Sequence, residues 1–185
     1  MKLIIYELNE VPRRLRDFYV NKNPNSAFAK VNKYGSIINT ITKDKGELSP
    51  WITWPSVHRG VYNEQHKITS INQDLSFSKM FKPVWEILDE KSIEIGLFGS
   101  LQSFPPIKSK NIKFYLPDTF APSPDAFPKN LEIFQDFNLL MTNKNKAISR
   151  GISLKEIKKF LNLFLKGLIS KKVGLKIIFH ILKEK

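Results

Sequence analysis

The chain has 185 residues, is 42% hydrophobic, and carries 30 Lys/Arg against 17 Asp/Glu for a formal charge of +13. That length suits one α/β domain with a sizeable core plus an appendage and is short for a two-domain enzyme. The absence of cysteine excludes disulfide frameworks, thiolate zinc sites and cysteine nucleophiles.

The charge is uneven. Residues 143–185 hold 12 Lys/Arg and 2 Asp/Glu, a net +10, which leaves only +3 for residues 1–142. An electrostatic partner is therefore to be sought at the C-terminal segment. No helix-turn-helix, zinc or RNA-binding signature accompanies the charge, so no specific nucleic-acid partner is expected.

Residues 2–8 begin with the apolar run Leu3-Ile4-Ile5-Tyr6, too short for the core of a signal peptide. Lysines interrupt every apolar stretch near the C-terminus before it reaches the roughly 18 to 20 residues of a spanning helix. Cytoplasmic residence, with peripheral membrane association as an option, is the expectation. Without polar alternation, residues 2–8 read as a first, central strand buried on both faces.

A short helix is predicted around Arg14–Val20, and Asn23-Pro24-Asn25-Ser26 forms a turn and cap before a helix over Ala27–Tyr34 that Gly35 closes. Residues 36–42, SIINTIT, read as a second strand. The Trp/Ser/Thr-rich stretch Glu47–His66 follows. A helix over Val84–Lys91 and a buried strand over Ile93–Phe98 come next.

Six prolines (105, 106, 117, 122, 124 and 128) pin the stretch 104–129 as an irregular excursion with one short strand at Lys113–Leu116. Long loops of this kind border active sites or cover sheet edges. A helix is predicted at Asn130–Met141. Ser153-Leu154-Lys155-Glu156 resembles a capping box opening a helix with Ile157, Phe160, Leu161, Phe164, Leu165 and Leu168 on one face, and Gly167 and Gly174 are points where it splits.

The alternation predicts an α/β fold, a mainly parallel sheet flanked by helices, over residues 1–142. Residues 143–185 form a basic amphipathic helical segment.

Chemistry concentrates in two places. Glu7, with Asn9 or Glu10 beside it, ends the first strand, where a carboxylate resists burial unless it is paired or metal-bound. Thr53, in Thr53-Trp54-Pro55-Ser56, stands in the first turn of the predicted helix, where free N–H groups and the dipole favour an anion. Capping by Thr53 and Ser56 is the structural alternative. Glu7 equally suits a solvated strand end. His58, His66 and His180 read as packing or surface histidines.

Several segments, taken in order, resemble the alkaline-phosphatase superfamily, which includes sulfatases and nucleotide pyrophosphatase/phosphodiesterases. Lys2–Asn9 is similar to its first metal-bearing strand, and Pro24–Gly35 to its "PN-x-x-x-LA-x-x-G" helix. Thr53-Trp54-Pro55-Ser56 through Gly60 and His66 resembles "T-x-P-N…TG-x-x-P-x-x-HG". Val84–Lys91 with Ile95–Gly99 looks like the family's following helix and strand.

The resemblance implies a hydrolase of small anionic phosphodiester, phosphate or sulfate esters with two divalent ions, zinc or manganese. It places Glu7 and Asn9 as metal ligands and Thr53 as nucleophile. Ser49 and Ser56 are the alternatives, because the family's usual spacing to the glycine lands near Pro50. The family completes its metal site with an Asp-His pair and a later His from its C-terminal half. This sequence has no Asp-His dipeptide. The expectation is an N-terminal portion that needs a C-terminal half and is inactive or weakly active alone. A second expectation, of another class, is a non-catalytic domain whose residues 150–185 bind an anionic membrane surface or an acidic partner.

Overall fold

A computed structural model describes residues 2–71, 73–143 and 153–183. The chain is α/β and mostly helical, with eight α-helices and one two-stranded parallel sheet among the described residues. It divides into two compact units, Met1–Asp44 and Lys45–Lys185.

In the first unit, α1 (Arg13–Lys22) and α2 (Ala27–Tyr34) pack together, with the Tyr19 and Phe28 rings 6.2 Å apart. The Ser26 hydroxyl caps α2 by accepting from the Ala29 N–H at 3.1 Å, as the Asn-Pro-Asn-Ser turn predicts. The predicted strands at 2–8 and 36–42 do not form. Leu3, Ile4 and Tyr6 are 77%, 87% and 81% exposed, and Ile38 and Ile41 are 82% and 89% exposed. A strand exists only through ladder bonds to a neighbour, so β-branched composition yields none where no neighbour pairs with it.

The second unit contains α3 (Pro50–Arg59), α4 (Asn63–His66), α5 (Val84–Glu90), β1 (Ile95–Phe98), β2 (Ile112–Leu116), α6 (Glu132–Asn143), α7 (Leu154–Leu165) and α8 (Lys171–Lys183). β1 and β2 are parallel, with Ile95 opposite Ile112 and Leu97 opposite Tyr115. Trp85, Ile95, Leu97, Ile112 and Tyr115 form the core, backed by Leu88, Ile107 and Phe127. Gly96 has to be glycine here, because a Cβ at that position would stand 2.2 Å from the Phe114 ring. On its other side β2 meets Phe127 through a single antiparallel bridge.

The capping box at Ser153 forms, with the Glu156 carboxylate accepting from the Ser153 N–H at 2.5 Å. Gly167, at φ +71°, turns the chain between α7 and α8, whereas Gly174 stays inside α8, where a Cβ would meet the Phe164 ring at 2.4 Å. The boundary expected at 142/143 adjoins residues 144–152, which lie outside the described residues.

The predicted apolar face forms only in part: Phe160 is buried and Ile157, Phe164 and Leu168 are half-buried, but Leu161 and Leu165 are exposed. Glu156, Phe160 and Leu163 turn inward, α7 packs on α6, and Lys159 pairs with Asp136. Leu161 and Leu165 lie about half a turn round from Phe160 and Leu163 and are 41% and 81% exposed. No helix among the described residues is long and apolar enough to cross a membrane.

Candidate functional site

The stretch singled out by sequence begins its helix one turn earlier than expected, at Pro50, with Ser49 at the N-cap. Proline suits that first position because its missing N–H would have no helical acceptor anyway. Thr53 therefore stands in the second turn. Its N–H donates to Ser49 O at 3.0 Å, and its Oγ1 hydroxyl donates to the same carbonyl at 3.2 Å. The Ile52 N–H also reaches Ser49 O, at 3.0 Å.

Ser49 itself is the outlier. It is buried at 8% exposure, and its Oγ has no hydrogen-bond partner among the described residues. Thr53 is half-buried, more exposed as a residue than Ser49. The two hydroxyls stand one turn apart at the same end of α3.

Ser56 Oγ lies 3.4 Å from Ile52 O and 2.9 Å from Nε2 of His66, a fully buried ring. The other ring nitrogen, Nδ1, accepts the Ile68 N–H at 3.0 Å. That acceptor role leaves the proton of the neutral imidazole on Nε2, which donates to Ser56 rather than removing its proton. His58 is buried between two indoles, 5.8 Å from Trp54 and 5.0 Å from Trp85 by ring centroids, the packing role read from sequence.

The expected metal ligands belong to the other unit. Glu7 is half-buried and Asn9 exposed; Glu7 lies outside any helix or strand and Asn9 in a turn. Among the described residues no three of His, Cys, Asp and Glu gather in a way that could hold a metal ion. Glu7 and Asn9 by themselves fall short of the oxygen set that a hard divalent ion takes.

Sequence reading missed a second site at the carboxyl ends of the two strands. A cavity of about 760 Å³ opens there, lined by Arg59 from the end of α3, Trp85 and Glu86 from α5, Tyr115 from β2, and the loops after β1 and β2. Its walls are cross-braced. The Tyr115 hydroxyl donates to Ser103 O at 2.7 Å, the Gln135 amide donates to Asp118 O at 2.8 Å, and the Asp118 carboxylate accepts the Phe120 N–H at 2.8 Å.

Burial raises the carboxyl of Asp118, opposed by backbone N–H groups of Phe120, Ser103 and Gln102. Burial also raises Glu86, opposed by the charges of Arg59 and Lys82, and it lowers Arg59, opposed by Glu86 and Tyr115. The proline-pinned loop 104–129 was the one sequence signal pointing here, since its first residues form one wall.

Comparison with known proteins finds no matching family model, no matching curated protein and no matching solved structure.

Proposed function

We propose that this chain is the N-terminal portion of a metal-dependent hydrolase of phosphodiesters, phosphate esters or sulfate esters, of the alkaline-phosphatase type. Thr53 is its candidate nucleophile and Ser49 the rival. The observation that supports this reading is the pairing of two hydroxyls at the start of α3, one of them buried without a partner. An unmet buried polar group in a folded protein asks for a missing ligand, ion or water.

In this reading the segments 2–8 and 36–42 would be strands of a larger parallel sheet, which fits their exposed apolar side chains. Glu7 and Asn9 would donate oxygen atoms to a divalent ion, zinc or manganese, and the remaining ligands would come from outside this chain. The described residues do not by themselves make a two-metal site, so no catalytic step is assigned to the ion.

The isolated chain is expected to show little or no turnover of an aryl phosphodiester or aryl sulfate with Mn²⁺ or Zn²⁺. Robust turnover would refute the dependence on a missing half. Any residual hydrolysis should disappear in Thr53→Ala and persist in Ser56→Ala. Loss in Ser49→Ala with Thr53→Ala unaffected would transfer the role to Ser49.

A second reading is a surface that associates with anionic membranes, without catalysis. It is favoured by the exposed stripe Leu154, Leu161 and Leu165 on α7, flanked by Lys155 and Lys158 and followed by the lysine-rich α8. Co-sedimentation with anionic vesicles and not with neutral ones is its test.

A further inference from the structure

The cavity at the carboxyl ends of β1 and β2 holds two opposite charges whose polar capacity is largely unspent. The Arg59 guanidinium donates one hydrogen bond, to Phe81 O at 2.5 Å, and makes no ion pair among the described residues. Glu86 is half-buried and accepts no hydrogen bond among the described residues. The two feel each other's charge without forming a direct ion pair.

Of the other charged groups lining the cavity, Lys79 is exposed and acts on Asp74 through its charge, and the rest are engaged. Asp118 holds backbone N–H groups, Asp74 holds Ser76 at 2.8 and 2.9 Å, and Lys82 pairs with Glu90. Ser103, 3% exposed and lining the same cavity, has a hydroxyl without a partner among the described residues. Trp85, Phe104 and Ile107 supply apolar wall.

Charges taken partly out of water are stabilised by complementary partners, and a planar guanidinium is best matched by a carboxylate that takes two of its N–H groups. Crevices outside the carboxyl ends of parallel strands are where α/β sheets bind ligands, and the volume lies within the range of small-molecule sites.

We infer that this cavity is a binding site for a small zwitterion of the α-amino-acid class with an apolar side chain. Its carboxylate sits on Arg59, its ammonium on Glu86, and its side chain lies along Trp85, Phe104 and Ile107. Ser103 offers the third polar contact. A simple anion would leave Glu86 unmatched beside a negative ligand, and a simple cation would do the same to Arg59. The site is independent of the ester-hydrolase reading, since it uses neither Thr53 nor a metal.

The test is calorimetric titration of the full chain at neutral pH with L-phenylalanine, 3-phenylpropionate and phenethylamine, which share one apolar body and differ in charged groups. The amino acid should bind at least about tenfold more tightly than either analogue. Glu86→Gln should erase the preference over 3-phenylpropionate, and Arg59→Lys should weaken the amino acid about tenfold, each variant keeping one cooperative unfolding transition. If 3-phenylpropionate binds as well as the amino acid, if Glu86→Gln keeps the preference, or if the amino acid produces no saturable heat up to millimolar concentration, the assignment is wrong.

Discussion

Ser56 Oγ and His66 Nε2 are 2.9 Å apart, and the Ile68 N–H on the far ring nitrogen determines which of them donates. With Nδ1 occupied as an acceptor, His66 ties α3 to the loop after α4 and does not act as a base. His66→Ala should therefore destabilise the fold by about 3 kcal/mol, because it strips the Ile68 amide of its acceptor and opens a cavity at a fully buried position. Ser56→Ala should cost only about 1 kcal/mol. Urea denaturation of both variants checks the order, and equal costs would contradict the tautomer argument.

Gly96→Ala should destabilise by about 1–3 kcal/mol, since the new methyl would enter the Phe114 ring from a backbone held in register by β2. Shrinking the obstruction should return much of the loss: the double variant Gly96→Ala, Phe114→Ala should lie closer to Phe114→Ala alone than additivity allows. A double-mutant cycle in thermal unfolding measures that coupling. Full additivity would mean that the ring moves aside at no cost.

Asp89 at the end of α5 accepts from Ser109 Oγ at 2.5 Å and from the Asn111 amide at 2.8 Å, and these bonds hold its carboxyl below the usual carboxylate range. A depressed acid binds fewer protons folded than unfolded. Its contribution is present above the unfolded pKa and is lost as pH falls through the folded one. Ser109→Ala should weaken that acid dependence, so that wild type loses its advantage over the variant on acidification. Chemical unfolding midpoints from pH 7 down to pH 3 would reveal it, and parallel curves would count against the assignment.

Glu86 carries the opposite sign. Burial raises its carboxyl, so the folded state binds the proton more tightly, and stability falls as pH rises from the unfolded pKa through the folded one. Glu86→Gln keeps the shape and removes the titration. Its stability relative to wild type should therefore improve as pH climbs through the carboxylate range and level off above it. The check is the difference in unfolding midpoint between pH 4 and pH 7, which should favour the variant at the higher pH.

Local rules made much of this fold legible, and long-range pairing did not. The Ser26 cap, the Ser153–Glu156 box, the turn at Gly167 and the α5–β1 succession each follow from residues a few positions apart, and each is present. Residues 2–8 and 36–42 have the composition of buried strands, but composition cannot supply the neighbour that makes a strand. Thr53 stands one turn farther into its helix than the sequence suggests, because Pro55 reads as a first-turn residue and Pro50 fills that role. The Arg59–Glu86 cavity was invisible because its charges come from helices α3 and α5, far apart in sequence, and meet only through tertiary packing.

The same limit governs α7, whose apolar residues occupy two sides of one helix. Periodicity marks Phe160, Leu161, Phe164 and Leu165 alike, yet Phe160 and Leu163 are buried while Leu165 is 81% exposed. Removing the whole segment would also strip the cover from α6 and confuse unfolding with lost binding. Substitution on the outer side separates the two. Leu154→Ser with Leu165→Ser should leave the unfolding midpoint nearly unchanged, because both residues are 81% exposed and give up little buried area.

If that stripe engages an anionic bilayer, the double variant should lose about tenfold or more in partition to phosphatidylserine vesicles, since two buried leucine side chains are worth a few kcal/mol at an interface. Lysine contributes a separate, salt-sensitive part, which should weaken as ionic strength rises in both forms. Wild-type partition unaffected by the two serines would leave charge alone as the attraction and end the case for an apolar docking stripe on α7.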